Sequence, residues 1–310
     1  MFPSVNFRRI SSCANRRGEE KVLTITSEIT TAKTLTLGHS PDSDDAFMFY
    51  ALAKDKIDSE GLRFAHVLRD IQTLNDWAGE GKLDTTAISV HAYAYVQDKY
   101  ALLSHGASMG DGYGPMVVAT APLKIQDLKD KRIAIPGPLT SAYLALQLFL
   151  DGMPFTPVWT HFDEIMAAVK DGTVDAGLII HEGQLTHQSE GLYTIVDLGV
   201  WWTDRTNTPL PLGVNAIKRD LGDELSAKMS RVMRRSIEFA LTHRSDALDH
   251  AMTYARDLPP ELADAFVGMY VNELTLDLGE RGKKGIELFL SEASAKGLIP
   301  SVQHPLAFVD

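Results

Sequence analysis

Four short stretches of this 310-residue chain gather side chains of the kind that hold or transform a small molecule. They are His39-Ser40-Pro41-Asp42-Ser43-Asp44-Asp45, Ser89-Val90-His91, Gly137-Pro138-Leu139-Thr140-Ser141 and His181-Glu182-Gly183. Carboxylates and hydroxyls bind the polar groups of a ligand, and an imidazole exchanges a proton near neutral pH. Each stretch also has a structural reading. Asp42, Ser43 or Asp44 suits the cap and first turn of a helix, and Thr140 and Ser141 suit the cap of another. His91 fits a surface position on a helix. His181 follows Ala176-Gly177-Leu178-Ile179-Ile180, which reads as a buried strand, so the imidazole comes at a strand end with Glu182 beside it. It serves either as a structural histidine or as a catalytic one.

Other stretches are less pointed. Asp111-Gly112-Tyr113-Gly114-Pro115 is a turn, or a loop whose glycines let backbone approach a ligand. Trp201-Trp202 either stacks on an aromatic ligand or packs in the core. Asp175 starts a strand, and Lys283-Lys284 reads as a solvated helix face. A Walker loop, a dinucleotide-binding glycine fingerprint, a zinc-protease helix and a Gly-x-Ser-x-Gly elbow are all missing from the sequence.

The elements that position these stretches follow from hydrophobic period. From Thr34 onward short apolar runs alternate with helical periods, the pattern of an α/β protein. Strands are expected at 34–38, 62–68, 85–89, 116–120, 132–135, 174–180 and 193–198. Phe162, Ile165, Met166 and Val169 form one stripe of a helix that Gly172 ends, and Tyr143, Leu146 and Leu150 form another. Beyond Pro211 the pattern turns to nearly continuous helix, with a long amphipathic element through Met229, Val232, Met233, Ile237, Ala240 and Leu241, and further helices at about 261–270 and 280–296. In an open α/β sheet the loops after the strands emerge on one edge, where ligands bind and helix N-termini offer free N–H groups. Four polar junctions on that edge imply a polar ligand, with room for an anionic one.

Composition narrows the classes. Thirty Lys and Arg against 41 Asp and Glu give a formal charge of −11, which argues against a nucleic-acid partner. The one cysteine, Cys13, cannot form an intrachain disulfide, and zinc-ligand spacing is missing around it, so a metal site is not expected. A chain of this length usually exceeds one core, so two lobes are expected, and internal repeats are not visible. Residues 1–32 carry Arg8, Arg9, Arg16 and Arg17 without the apolar run of a signal peptide. They read as a disordered extension ahead of a fold that begins near Lys33. No stretch reaches the roughly 18 apolar residues of a membrane span, and a cytoplasmic protein is expected.

Several ordered motifs together resemble the menaquinone biosynthesis proteins of the futalosine route, from about Thr34 to the C-terminus. They are Asp175 through Thr186, Leu198-Gly199-Val200-Trp201-Trp202, Pro209-Leu210-Pro211-Leu212-Gly213, Ser40-Pro41 with Asp45-Ala46-Phe47-Met48-Phe49, and Tyr270-Val271-Asn272-Glu273. The His-Glu-Gly and Trp-Trp stretches favour the branch that makes 1,4-dihydroxy-6-naphthoate over the sister branch that dehydrates chorismate. The resemblance implies a two-lobe fold like the type II periplasmic binding proteins, with a central ligand cleft. Its first lobe is discontinuous, residues 33–118 plus 215–310, and its second is residues 119–214. It implies a carbon–carbon lyase acting on cyclic dehypoxanthinyl futalosine, a carboxylated bicyclic small molecule, and requiring no metal or redox cofactor. His181 is the implied base. Ser40, Asp45, Ser89, Thr140, Ser141 and Glu182 are the implied substrate contacts. One departure stands out: many members carry Ser-Pro-Cys-Pro-Asn-Asp-Thr-Phe where this chain has Ser40-Pro41-Asp42-Ser43-Asp44-Asp45-Ala46-Phe47, so the replaced positions lose an amide and a hydroxyl and gain carboxylate. A solute-binding protein of a transporter is the rival from another class; it would share the fold and need no base, and the missing export signal counts against it.

Overall fold

A computed structural model describes residues 33–254 and 259–310. The expectation for residues 1–32 lies outside them. The chain opens with five strands of a seven-stranded sheet: β1 (Lys33–His39), β2 (Leu62–Leu68), β3 (Thr85–Ser89), β4 (Tyr100–Leu103) and β5 (Ser108–Gly110). It then builds a five-stranded sheet from β6 (Met116–Ala119), β7 (Arg132–Ile135), β8 (Thr156–Trp159), β9 (Ala176–Ile179) and β10 (Tyr193–Asp197). It returns to the larger sheet with β11 (Leu210–Lys218) and β12 (Phe308–Val309).

In each sheet the parallel pairs set the site. β1 pairs in parallel with β2 and β3, and β7 pairs in parallel with β8 and β9. The loops after β1, β3, β7 and β9 are the four polar stretches, two from each sheet. All seven expected strands form, within one or two residues at their ends. β4, β5, β8, β11 and β12 escaped the pattern. β11 corrects the expectation of continuous helix beyond Pro211. It lies between β3 and β4 with most of its residues buried, so it shows no alternation of apolar and polar positions, and Pro211 and Gly213 disguise it further. β8 carries Pro157, which only an edge strand accepts.

The helices after Lys218 hold the first polar loop from behind. In the helix Asp223–Thr242, Met229, Val232, Met233, Ile237 and Ala240 are fully buried, in one cluster with Phe47, Met48 and Phe49. Ser236 Oγ donates to the Met48 carbonyl at 2.8 Å, tying that helix to the short helix Ser43–Met48. A second cluster runs beneath both sheets, from Ile88 and Tyr93 through Leu144 and Leu178 to Trp202 and Phe289. The helix expected to begin near Phe162 starts at Ile165 instead and ends at Lys170, leaving Phe162 in the turn before it.

The chain's two passages between the sheets run close together. The first, 111–115, meets the start of the helix Leu198–Thr206, where Leu198 N–H donates to the Pro115 carbonyl at 2.9 Å. Gly199 admits this approach because a Cβ there would lie 1.9 Å from the Tyr113 carbonyl oxygen, which belongs to backbone and cannot swing aside. Gly199→Ala should therefore destabilise the protein by roughly 2–3 kcal/mol, the usual penalty of overpacking. A fall of about 5 °C or more in the thermal midpoint is expected. An unchanged midpoint would show that the two passages separate freely.

Candidate active site

The ends of β1, β3, β7 and β9 converge on one cleft of about 770 Å³, solvent at its mouth included. That is the size of a small-molecule site. Of the residues expected to contact substrate, Ser40, Asp45, Ser89, Thr140, Ser141 and His181 line it. Glu182 does not: it is buried, close enough to Asp44 to act on that carboxyl electrostatically. Among the described residues, neither lysine nor arginine lines the cleft.

His181 arrives from the end of β9 in a left-handed backbone conformation, φ 58°. For a residue with a Cβ this costs on the order of 1–3 kcal/mol and persists only where surroundings impose it. The turn is closed by Gln184 N–H donating to the His181 carbonyl at 3.1 Å. Phe162 meets the imidazole edge-on at a centroid distance of 4.6 Å, so the residue that left the expected helix supports the ring. His181 Nδ1 lies 3.3 Å from Asp42 Oδ2. Nε2 has no hydrogen-bond partner among the described residues.

The first loop is arranged by its own carboxylates. Asp42 occupies the N-cap position of Ser43–Met48 yet makes no side-chain cap hydrogen bond. Its Oδ2 accepts from Ser40 Oγ at 2.5 Å, and Asp45 Oδ2 accepts from Ser40 N–H at 2.6 Å. Burial pushes the Asp45 carboxyl up to about 7; the Ser40 N–H opposes this and the charge of Asp42 adds to it. Asp44 is raised well above the usual range by burial, then by Asp45, Asp42 and Glu182. Capping therefore does not explain Asp42, and the cluster carries fewer negative charges than its three aspartates suggest.

Ser89, Thr140 and Ser141 have different duties. Ser89 N–H donates to Asn75 Oδ1 at 2.8 Å, and its hydroxyl accepts from Asn75 Nδ2 at 3.0 Å, leaving its own proton for a ligand. Thr140 is a cap as well as a lining residue: its hydroxyl accepts from Tyr143 N–H at 3.3 Å and donates to the Gly137 carbonyl at 2.9 Å. Ser141 Oγ donates to the Leu212 carbonyl at 2.5 Å and accepts from His91 N–H at 3.2 Å, so its hydroxyl ties together elements of both sheets. Beside them, the N–H groups of Ser141 and Ala142 open the helix Ser141–Leu150 without protein acceptors among the described residues.

One sequence reading is corrected, and two that the sequence left open fall on their structural side. His91 is a buried residue, not a surface one: burial lowers its imidazole to about 4, with the Thr140 carbonyl opposing, and it does not line the cleft. Trp202 is buried against Phe289 and Trp201 packs on Phe149, both away from the cleft. In the 111–115 loop only Pro115 lines the cleft, while Asp111 pairs with Arg281. Residues the sequence did not single out also line it. Tyr270 Oη donates to Gln184 Oε1 at 2.7 Å, joining the C-terminal helices to the loop after β9. Asn215 donates to the Gly106 carbonyl at 2.8 Å, while its buried Oδ1 has no partner among the described residues. Gln184 and Tyr270 fall within motif stretches; Asn215 carried no signal, because β11 itself did not.

Comparison with solved structures defines the class: this is a periplasmic-binding-protein-like α/β fold with two sheets about a ligand cleft. A protein from Archaeoglobus fulgidus is similar at a TM-score of 0.82 and 47% identity, over 86% of this chain and 98% of that one. The alkanesulfonate-binding protein of Xanthomonas axonopodis pv. citri shares the fold at a TM-score of 0.66 and 15% identity, over 86% and 94%. Residues 35–295 match the menaquinone biosynthesis family, and the chain belongs to it. A 1,4-dihydroxy-6-naphthoate synthase of Thermus thermophilus is 44% identical over 272 residues, 88% of this chain and 98% of its own. A synthase of the same name from Streptomyces coelicolor is 36% identical over 278 residues, 87% and 96% of the two chains.

The raised aspartates make stability depend on pH. Below about pH 4 Asp45 is protonated both folded and unfolded. Between there and about 7 the unfolded chain releases a proton that the folded protein keeps, so stability falls, and above about 7 the deficit is complete. Asp45→Asn retains an acceptor for Ser40 N–H and removes the ionisation. Without ligand, its thermal midpoint should gain on the parent's between pH 5 and pH 8. An equal difference at both pH values would refute the raised carboxyl.

Proposed function

We propose that the protein is a 1,4-dihydroxy-6-naphthoate synthase, a lyase that cleaves cyclic dehypoxanthinyl futalosine to 1,4-dihydroxy-6-naphthoate and a small sugar-derived carbonyl compound. Similarity to two synthases over most of the chain supports the substrate class. The observation that carries the mechanism is His181, whose Nδ1 is turned toward Asp42 and whose ring lines the cleft. Nε2 takes an acidic proton from the substrate. The electron pair released from that C–H bond drives carbon–carbon cleavage, the bicycle becomes aromatic, and the sugar remnant departs, with the proton on His181 available to it.

The chain's other groups bind and orient. With neither Lys nor Arg among the described lining residues, the substrate carboxylate docks at the open N–H groups of Ser141 and Ala142, where the helix dipole favours an anion. Ser89 donates its hydroxyl proton, and protonated Asp45 donates as a neutral acid, which lets an acidic cleft accept an acidic ligand. One base typically contributes 10²–10⁴-fold, and orientation within an enclosed cleft supplies the larger remainder.

His181→Asn keeps a polar side chain of similar size but removes the base. Turnover should fall by roughly 10²–10⁴-fold with affinity nearly unchanged, because the loss falls on the transition state. Single-turnover rate and calorimetric affinity on one folded sample check this, and a rate within about threefold of the parent's would sink the assignment. Conversion of chorismate without formation of naphthoate, or tight binding without turnover, would select the dehydratase or the solute-binding reading instead.

Ligand contacts come from both proposed lobes, 33–118 with 215–310 and 119–214, so binding favours their closed arrangement. Small-angle scattering at saturating naphthoate should give a smaller radius of gyration than the free protein, and an unchanged radius would indicate a preformed cleft.

A further inference from the structure

The geometry points to Asp42 as the positioning residue of His181, a carboxylate that holds the imidazole as the Nδ1–H tautomer and stabilises it once Nε2 is protonated. This rests on the reading of His181 as the base and adds the residue that prepares it.

Three observations converge. Asp42 is 1% exposed and stands where an aspartate normally caps its helix, yet it forgoes that hydrogen bond. Its Oδ2 is aimed the other way, accepting from Ser40 Oγ at 2.5 Å and lying 3.3 Å from His181 Nδ1. The partners come from different sheets, Asp42 from the loop after β1 and His181 from the loop after β9, so the contact exists only in the folded cleft.

The chemistry follows from the acceptor. A carboxylate facing Nδ1 selects the tautomer with its proton there, which leaves the Nε2 lone pair free to accept a proton. When Nε2 takes that proton, the imidazolium forms beside a carboxylate that is itself buried, where the attraction is stronger than in bulk solvent. The Ser40 hydroxyl fixes the carboxylate, and the Phe162 ring fixes the imidazole.

The variants should stay folded, because removing one carboxylate relieves the repulsion that Asp44 shares with Asp42, with Asp45 on the same turn and with Glu182 from the opposite loop. Asp42→Asn should lower kcat by roughly 10–100-fold with KM within about threefold. Adding it to His181→Asn should lower the rate by less than about threefold more, since the two act as one unit. Nitrogen-15 spectra of histidine-labelled protein, read without substrate, should show His181 as the Nδ1–H tautomer in the parent and mainly Nε2–H in Asp42→Ala. Parental kcat in Asp42→Asn, additive losses in the double variant, or an unchanged tautomer in Asp42→Ala would each overturn the role. If the parent does not cleave the substrate but the tautomer shifts as expected, the positioning stands and the assigned reaction falls.

Discussion

Burying carboxylates without a cation to answer them is the constraint on which this site depends. Asp42, Asp44 and Asp45 leave one turn together, Glu182 approaches from the opposite loop, and among the described residues lysine and arginine are missing from the cleft lining. Ionising all of these buried groups together would be prohibitive, so burial and their mutual repulsion raise Asp44 well above the usual carboxylate range and Asp45 to about 7. Backbone N–H groups and hydroxyls supply the remaining compensation, as where Ser40 serves Asp45 with its amide and Asp42 with its hydroxyl.

Such a cluster is costly to fold around, and the rest of the molecule is arranged to hold it. The short helix that carries the aspartates has six residues and would not persist alone. Its apolar side, Phe47 and Met48, is clamped by the long helix Asp223–Thr242, which explains why the C-terminal helices return to the larger sheet. Opposite, the left-handed turn at His181 is held by its own hydrogen bonds and by the Tyr270–Gln184 contact nearby. Strain and buried polarity are concentrated where ligand is expected, while the large apolar cluster beneath both sheets supplies cohesion.

The same division separates binding from scaffolding among residues of one type. Ser89 and Ser141 both follow strand ends, but Asn75 leaves the Ser89 proton free, whereas Leu212 and His91 consume the hydrogen-bonding capacity of Ser141. Ser141 therefore contributes to an anion site through its backbone N–H rather than its hydroxyl. Thr140 likewise spends its hydroxyl on the cap that keeps those N–H groups in line.

Read alone, the sequence determined the α/β class, all seven strands with clear apolar runs, the long C-terminal helices and the four polar junctions, because these follow from local period and from residue chemistry. It also brought His181 forward, through a strand end and a resemblance to a family. What it could not determine was anything set by a partner distant in the chain. β11 is invisible because a strand buried on both faces loses its alternation, and with it Asn215 was missed. Asp42 reads locally as a helix cap, and only the meeting of two sheets, 139 residues apart in sequence by the numbers 42 and 181, turns its carboxylate toward an imidazole. Glu182, adjacent to His181 in sequence, is buried outside the cleft lining for the converse reason: neighbours on an extended or sharply turned backbone point in different directions, and tertiary packing decides which of them meets the ligand.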